Sequence, residues 1–590
     1  MKESLRHQIR EARKTITERL VRDLGSQGHW VGELSSSALA TATATIALFT
    51  VDPRADGELV DRGLDWLARN ANPDGGWGDT LRSRSNLSTT ALAWAAFGAA
   101  RADGRYVATV SAAVDWLTRT AGSMDLLVST IEGRYGKDRT FSVPIVMTLA
   151  LSGRLGPQGW QRVRPLPFEL AALPREVFGA LQLPVVSYAL PALIAIGQAI
   201  YHHAPRFNPL RKLTRQRTLN LLTTLQPGNG GFLEATPLTS FVTMSLASMG
   251  EAQHQVAQRG VAFLRASVRP DGSWPIDTNL STWLTTLSVK ALHHSPDCLD
   301  STQHSNLKHW LLAQQYRVEH PYTGAAPGGW AWTDLPGGVP DADDTAGALL
   351  ALHFLAKTQE KPEAELREAT RLGINWLLDL QNRDGGMPTF CRGWGTLPFD
   401  RSAAELTAHA LRAWYAWLPH LPLTSRERIQ RGTDRAIRFL EKSQRKDGSW
   451  IPLWFGNEHT EGEVNPVYGT AQVLLGLQSL RGNSAAARLH QQGSQFLVAQ
   501  QNPDGGWGGA HGAVSTIEET SLALEALAYQ MTLEQTLERG AQWLVQAVNS
   551  PAAFIPSPIG LYFARLWYFE LLYPTIFACG ALGRLDSKHF

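Results

Sequence analysis

The sequence predicts an all-α protein built of helical hairpins, and three observations lead there. A short turn phrase recurs along the chain, helical stripes flank most copies, and no stretch shows the sustained alternation of a strand. The phrase reads NPDGGW at Asn72–Trp77, RPDGSW at Arg269–Trp274, QRKDGSW at Gln444–Trp450 and QNPDGGW at Gln501–Trp507. QPGNGGF at Gln226–Phe232 and QNRDGGM at Gln381–Met387 are weaker copies, and PGGW at Pro327–Trp330 keeps only the end. From Phe232 to Trp274, Trp330 and Met387 the steps are 42, 56 and 57 residues, each with room for about two helices of ordinary length. Gly and Asp supply the tight turn, and Gln and Trp can join one helix end to the next. The hairpins are read as set around a barrel, although the spacing by itself does not dictate closure.

In chain order, Met1–Leu24 is a charged amphipathic helix without the apolar core of a secretory signal, so no signal peptide is expected. The run Leu183–Ile200 is the most apolar, but Pro184 and Pro191 interrupt it, as in a buried helix of a large all-α protein. The stretch PLRKLTRQRTLNLL then carries Arg211, Lys212, Arg215 and Arg217. These charges suit either a solvated face or anionic lipid, at about 1 kcal/mol for each one near the surface. Before Trp450 runs RAIRFLEKSQ, and after Trp507 runs STIEETSLALEALAYQM, with Ser515 or Thr516 as start signal. A chain of 590 residues is long enough for several domains. With 55 basic against 53 acidic residues, no concentrated basic face points to nucleic acid. Cys298, Cys391 and Cys579 stand far apart, which gives neither a zinc ribbon nor a disulfide scaffold.

The sharpest feature is PGGWAWTDLPGGVPDADDTAGALLALHFLA, from Pro327 onward. Asp341, Asp343 and Asp344 follow Pro340 and open an apolar helical run; Asp341 suits an N-cap, with Asp344 three residues on. Aspartates at a helix start serve as caps, and they also suit a harder task. Protonating an unactivated alkene needs a carboxylic acid that is neutral yet far stronger than water. Burial raises a carboxyl pKa, whereas a helix N-terminus and a nearby cation lower it. An Asp at a helix start beside a protonated His meets both demands, and further carboxylates keep that His charged. His409, in AELTAHALRAW, lies on an apolar helix, where a core histidine is the plain reading. A carbocation moving along a folded polyene needs aromatic faces and no water. The 20 Trp, 20 Phe and 12 Tyr could supply such walls or simply fill a core.

These motifs resemble the squalene-hopene cyclases. The turn phrase looks like the QW repeat of squalene and oxidosqualene cyclases, and GGWAW followed by PDADDTA looks like the acid motif of the squalene branch. Oxidosqualene cyclases carry a Cys beside the Asp instead. Related α/α barrels in protein prenyltransferase β subunits need a zinc site, and those in thioester domains a Gly-Cys-Gly-Glu, which the sequence lacks. The similarity spans most of the chain and is strongest from Trp274 onward. It implies two α/α barrel domains, one inserted in the other, around an apolar cavity. Residues 1–28 and 285–590 would form the barrel carrying the acid motif, and 29–284 the second. By the same resemblance Asp343 is the proton donor, Asp341 and Asp344 its supporting carboxylates, and His409 the histidine that activates it. Glu405 stands where the family usually has Asp. No metal or organic cofactor is implied, since enzymes that ionise diphosphates show DDxxD-type pairs.

The resemblance also implies the cavity wall. Trp332 corresponds to a family Phe facing the cation, Trp283 and Trp454 to cavity tryptophans, Tyr468 to the Tyr of a YGT sequence, and Phe390 to a family Tyr. Tyr188 replaces a Trp, and Tyr562 and Phe569 fall on aromatic positions of the family's last cavity helix. Pro558 and Leu566 appear where hopene-forming enzymes carry aromatics, so termination is expected to differ. The function implied is protonation of squalene and cyclisation to a hopanoid-type triterpene (hopene- or hopanol-like). A related cyclase with another polyprenyl substrate or fewer rings is the alternative, and a non-catalytic isoprenoid-binding scaffold is the alternative of another class. Peripheral attachment to the cytoplasmic face of a membrane and a homodimer complete the expectation.

Overall fold

The computed structural model describes residues 3–587 apart from 137, 175–176, 178–188, 322, 357–362, 391–397, 481, 531–532, 551–553 and 563–564. Six helices form a closed ring: Ser281–Leu292, Ala342–Ala356, Ala404–Trp417, Pro466–Leu477, Ile517–Leu527 and Tyr573–Asp586. Each packs on the next, and the last packs on the first. A second ring runs through Ala38–Val51, Leu87–Ala99, Arg139–Leu151, Leu190–His203 and Thr236–Ser248, which returns to Ala38–Val51. The chain therefore folds as two α/α barrels, as the sequence predicts. Inner helices such as ALATATATIALFTV are apolar or small on every side, and residues Ala38–Leu48 are all buried. Outer helices such as Gly57–Arg69 and Glu534–Val548 bury one stripe and leave charge outside.

The helix Glu3–Arg22 belongs to the six-membered ring's outer layer, packed on Tyr573–Asp586 and Glu534–Val548. Arg13 bonds Asp586 and donates to the His294 carbonyl at 2.6 Å. A division at 284/285 falls inside the continuous helix Ser281–Leu292, whose hydrogen-bonded turns make it one unit. The chain changes barrels earlier, between the outer helix ending at Ser267 and Ser281.

The turn phrase staples neighbouring outer helices. The Trp450 indole N–H donates to Leu440 O at 2.8 Å, on the helix before it, while the Gln444 amide reaches Leu489 O on the helix after it. Trp507 and Gln501 repeat the arrangement with Leu497 O and Thr536 O. Gly448 has φ +90°, and a Cβ there would meet Gln492 O at 2.6 Å, so the turn needs glycine twice over. Among the described residues no helix is long and apolar enough to cross a membrane.

Candidate active site

First turns of inner helices from both rings line two adjoining chambers. One is bounded by Asp341, Asp343 and Asp344, by Trp283, Trp332, Phe390, Trp454, Phe455, Tyr562 and Tyr568, and by Leu280 and Thr389. The other is almost wholly apolar, with Leu39, Leu92, Phe141, Ile145, Leu233, Phe241, Phe399 and Leu566 on its wall; Tyr562 borders both.

The acid motif folds back on its own tryptophans. The Asp341 N–H donates to Trp330 O at 3.0 Å, and the Trp332 carbonyl accepts the N–H groups of Thr282 and Trp283. Asp341 caps the helix Ala342–Ala356 by accepting the Asp344 N–H at 2.8 Å. Burial pushes Asp341 up to about 7, against the hydrogen bonds from Asp344 that lower it, and lifts Asp344 well above the carboxylate range, where Asp341 raises it further. Asp343 points elsewhere. Its Oδ1 lies 2.6 Å from His409 Nδ1, and its side chain is 22% exposed, open to the chamber. Burial draws the His409 imidazole below its ordinary value, Asp343 opposes this, and Arg412 and Lys290 reinforce it. Those two cations stand with Glu525 in a polar cavity at the far end of the barrel, where burial lowers Lys290 to about 8.

Glu405, where the family usually has Asp, bonds a backbone N–H in a distant loop. Its Oε1 accepts the Leu453 N–H at 2.5 Å, on the loop that leads to Trp454. Burial pushes the Glu405 carboxyl up to about 7. The chamber rings meet edge to face or tilted. Trp332–Phe390 centroids are 6.1 Å apart, Phe390–Trp454 6.0 Å and Trp454–Tyr562 6.5 Å, and Trp283 lies T-shaped to His409 at 6.4 Å.

Three wall expectations change. Tyr468 is stacked behind Phe455, centroids 3.9 Å apart, so Phe455 takes the wall. Residues Gly560–Tyr562 and Leu566–Tyr568 form an antiparallel hairpin in place of the expected cavity helix, and the helix starts only at Tyr573. Strand alternation turns Tyr562, Leu566 and Tyr568 to the chambers and leaves Phe569 off the wall, near the Arg82 guanidinium. Tyr188 lies outside the described residues. Leu280, Thr389, Phe455 and Tyr568 escaped sequence reasoning; a period-2 reading of LYFARLWY was the signal for the last.

Fold and site together are those of the class II terpene cyclase family. The chain belongs to the squalene-hopene cyclase family, whose C-terminal domain model matches residues 279–587 and N-terminal domain model residues 14–120. It is 26% identical over 299 residues to the squalene–hopene cyclase of Alicyclobacillus acidocaldarius, covering 46% of this chain and 43% of that relative. It is 25% identical to enfumafungin synthase of Hormonema carpetanum, over 94% of this chain and 47% of that one. The chain thus spans about half the length, or less, of these curated relatives. The ent-copalyl diphosphate synthase from Streptomyces platensis shares the fold, with a TM-score of 0.52, 18% identity, and coverage of 98% and 99% of the two chains.

Proposed function

We propose that this chain protonates squalene at a terminal double bond and cyclises it to a hopanoid-type triterpene. The observation that carries the reading is the 2.6 Å Asp343–His409 pair at an aromatic chamber that continues, past Tyr562, into an apolar one. The Asp343 O–H bond breaks, and the alkene's electron pair forms the new C–H bond. The tertiary cation left behind is attacked by the next double bond, and so on along the folded chain. Trp332, Phe390 and Trp454 offer π faces worth about 0.5–2 kcal/mol each to the moving charge. The last cation loses a proton or gains water. Leu566, on the wall of the apolar chamber, and Pro558 favour a second reading with another polyprenyl substrate or fewer rings.

The test is incubation of the purified protein with squalene in mild detergent, with products resolved by gas chromatography and mass spectrometry. A cyclic product made by the parent, with at least about 1,000-fold less from Asp343→Asn, is expected when the sole proton donor is removed. Turnover that survives Asp343→Asn would sink the assignment of the acid. A parent that cyclises other polyprenyls but never squalene would favour the second reading.

The same reading has the chain attached peripherally to the cytoplasmic face of a membrane. Phe207 is 99% and Leu213 80% exposed, beside exposed Lys212 and Arg217, while Arg211 and Arg215 already pair with Glu169 and Glu251. Flotation with anionic vesicles should be lost in Phe207→Glu/Leu213→Glu; unchanged flotation counts against this surface. A homodimer is carried over from the family resemblance, and sedimentation would test it.

A further inference from the structure

A turn at the junction of the two chambers is strained without being glycine. Leu233 and Glu234 have φ of +56° and +55°, a region that side chains rarely adopt. The strain is held from several sides. Glu234 Oε1 accepts the Gly337 N–H and the Asn229 amide, both at 2.7 Å, and Ala235 bridges Asp277 across a short antiparallel contact. The outcome is that Leu233 and Ala235 face the apolar chamber while Asp277 is sealed behind the wall, fully buried.

Two donors reach the Asp277 carboxyl, the Thr278 N–H at 2.7 Å from Oδ1 and the Trp332 indole N–H at 3.1 Å from Oδ2, and the Tyr562 side chain lies beside it. An indole and a backbone N–H can only donate, so their partner has to be an acceptor. Both side chains at this carboxyl are wall residues: Trp332, which it holds, on the acid chamber and Tyr562 on both. Asp343 and His409 pair with each other rather than with Asp277. A buried carboxyl at this depth is disfavoured unless its bonds are specific, and here the bond from Trp332 fixes an aromatic plane.

We propose that Asp277 is a specificity-determining positioning residue: by holding Trp332 beside Tyr562 at the junction, it sets where along the polyene the positive charge rests when ring closure stops. The inference rests on the cyclase reading above and adds to it the residue that fixes the product. A π face stabilises a cation only when the ring is turned toward it, and a barrier difference of about 1.4 kcal/mol changes a product ratio about tenfold.

Products of the full chain, Asp277→Asn and Trp332→Phe are compared by mass-resolved gas chromatography, alongside rates of substrate loss. Asp277→Asn is expected to consume substrate within about threefold of the parent, because it does not touch the acid. Its ratio of main product to products of other ring number should fall about tenfold. Trp332→Phe, which keeps an apolar ring but lacks the N–H, should shift the ratio in the same direction. If Asp277→Asn does not fold, Trp332→Phe decides. Unchanged product ratios in a cyclising parent and its variants overturn the Asp277 role alone. A folded parent that cyclises no polyprenyl at all overturns the cyclase reading and this inference with it.

Discussion

Glu405 spends its carboxylate on the Leu453 N–H, one residue before Trp454, so it supports the loop that carries a chamber wall. Glu405→Gln keeps an acceptor oxygen and should leave both stability and turnover near those of the parent. Glu405→Ala strands a buried N–H, which costs about 1–3 kcal/mol. Thermal unfolding should report that loss, and the rate of product formation should fall as Trp454 loosens; equal behaviour of the two variants would refute the clamp. At this scale the acid was legible, because PDADD and AELTAHAL bring their own chemistry, and Asp343 and His409 do meet. The carboxylate's true partner was not. It lies 48 residues away in a loop whose path depends on the finished barrel. Asp277 was invisible for the same reason, since the indole it holds comes from a segment 55 residues away.

The repeated phrase announced the hairpins because every part of it is local turn chemistry. Its counterpart, a glycine in the following outer helix, is separated from it by 33 to 43 residues: Trp330 with Gly373, Trp450 with Gly493, Trp507 with Gly540. Short strings such as GINWL, GSQFL and GAQWL mark these sites in the sequence. Alone they read as ordinary helix with one weak position. In the fold the glycine lets the indole lie against the helix backbone, and a Cβ at Gly540 would meet a Trp507 ring carbon at 2.7 Å. Two effects compete in Gly540→Ala. Helix propensity gains about 1 kcal/mol, while overpacking costs about 1–3 kcal/mol. The clash is with a fully buried indole pinned by its own hydrogen bond, so the loss should win. A raised midpoint of thermal unfolding in Gly540→Ala would refute this packing account. The C-terminal hairpin shows the opposite failure. Its apolar run fits helix or strand locally, and pairing of Gly560–Tyr562 with Leu566–Tyr568 makes the choice.

The seam between the barrels is held by buried carboxyls that accept backbone N–H groups across it: Glu570 from Glu33, Asp79 from Trp567, Glu458 from Arg84, Glu234 from Gly337. Burial raises all four, Glu570 to about 7 and Glu458 to about 8. A carboxyl whose folded pKa is raised adds stability that is full below its unfolded value and is lost as pH rises through the folded one. The unfolding temperature should therefore be highest near about pH 5 and fall by several degrees towards about pH 9. Calorimetry across that window checks it, and a midpoint that rises with pH would contradict the assignment. The family resemblance implied two barrels and a partition of the chain between them, while the place where the chain passes from one to the other, between Ser267 and Ser281, shows only once the helix turns are formed. The helix Glu3–Arg22 gives that partition a schedule. Its apolar stripe of Leu5, Ile9, Ala12, Ile16 and Leu20 is buried against a barrel whose closing helix, Tyr573–Asp586, is made last among the described elements. At about 5–20 residues per second on the ribosome, the stripe waits roughly half a minute to two minutes for its partner. The inserted barrel can form during that interval; the acid-bearing one closes only once Tyr573–Asp586 has been made, so a chain that stalls midway carries a sticky, unpartnered helix for chaperones to shield.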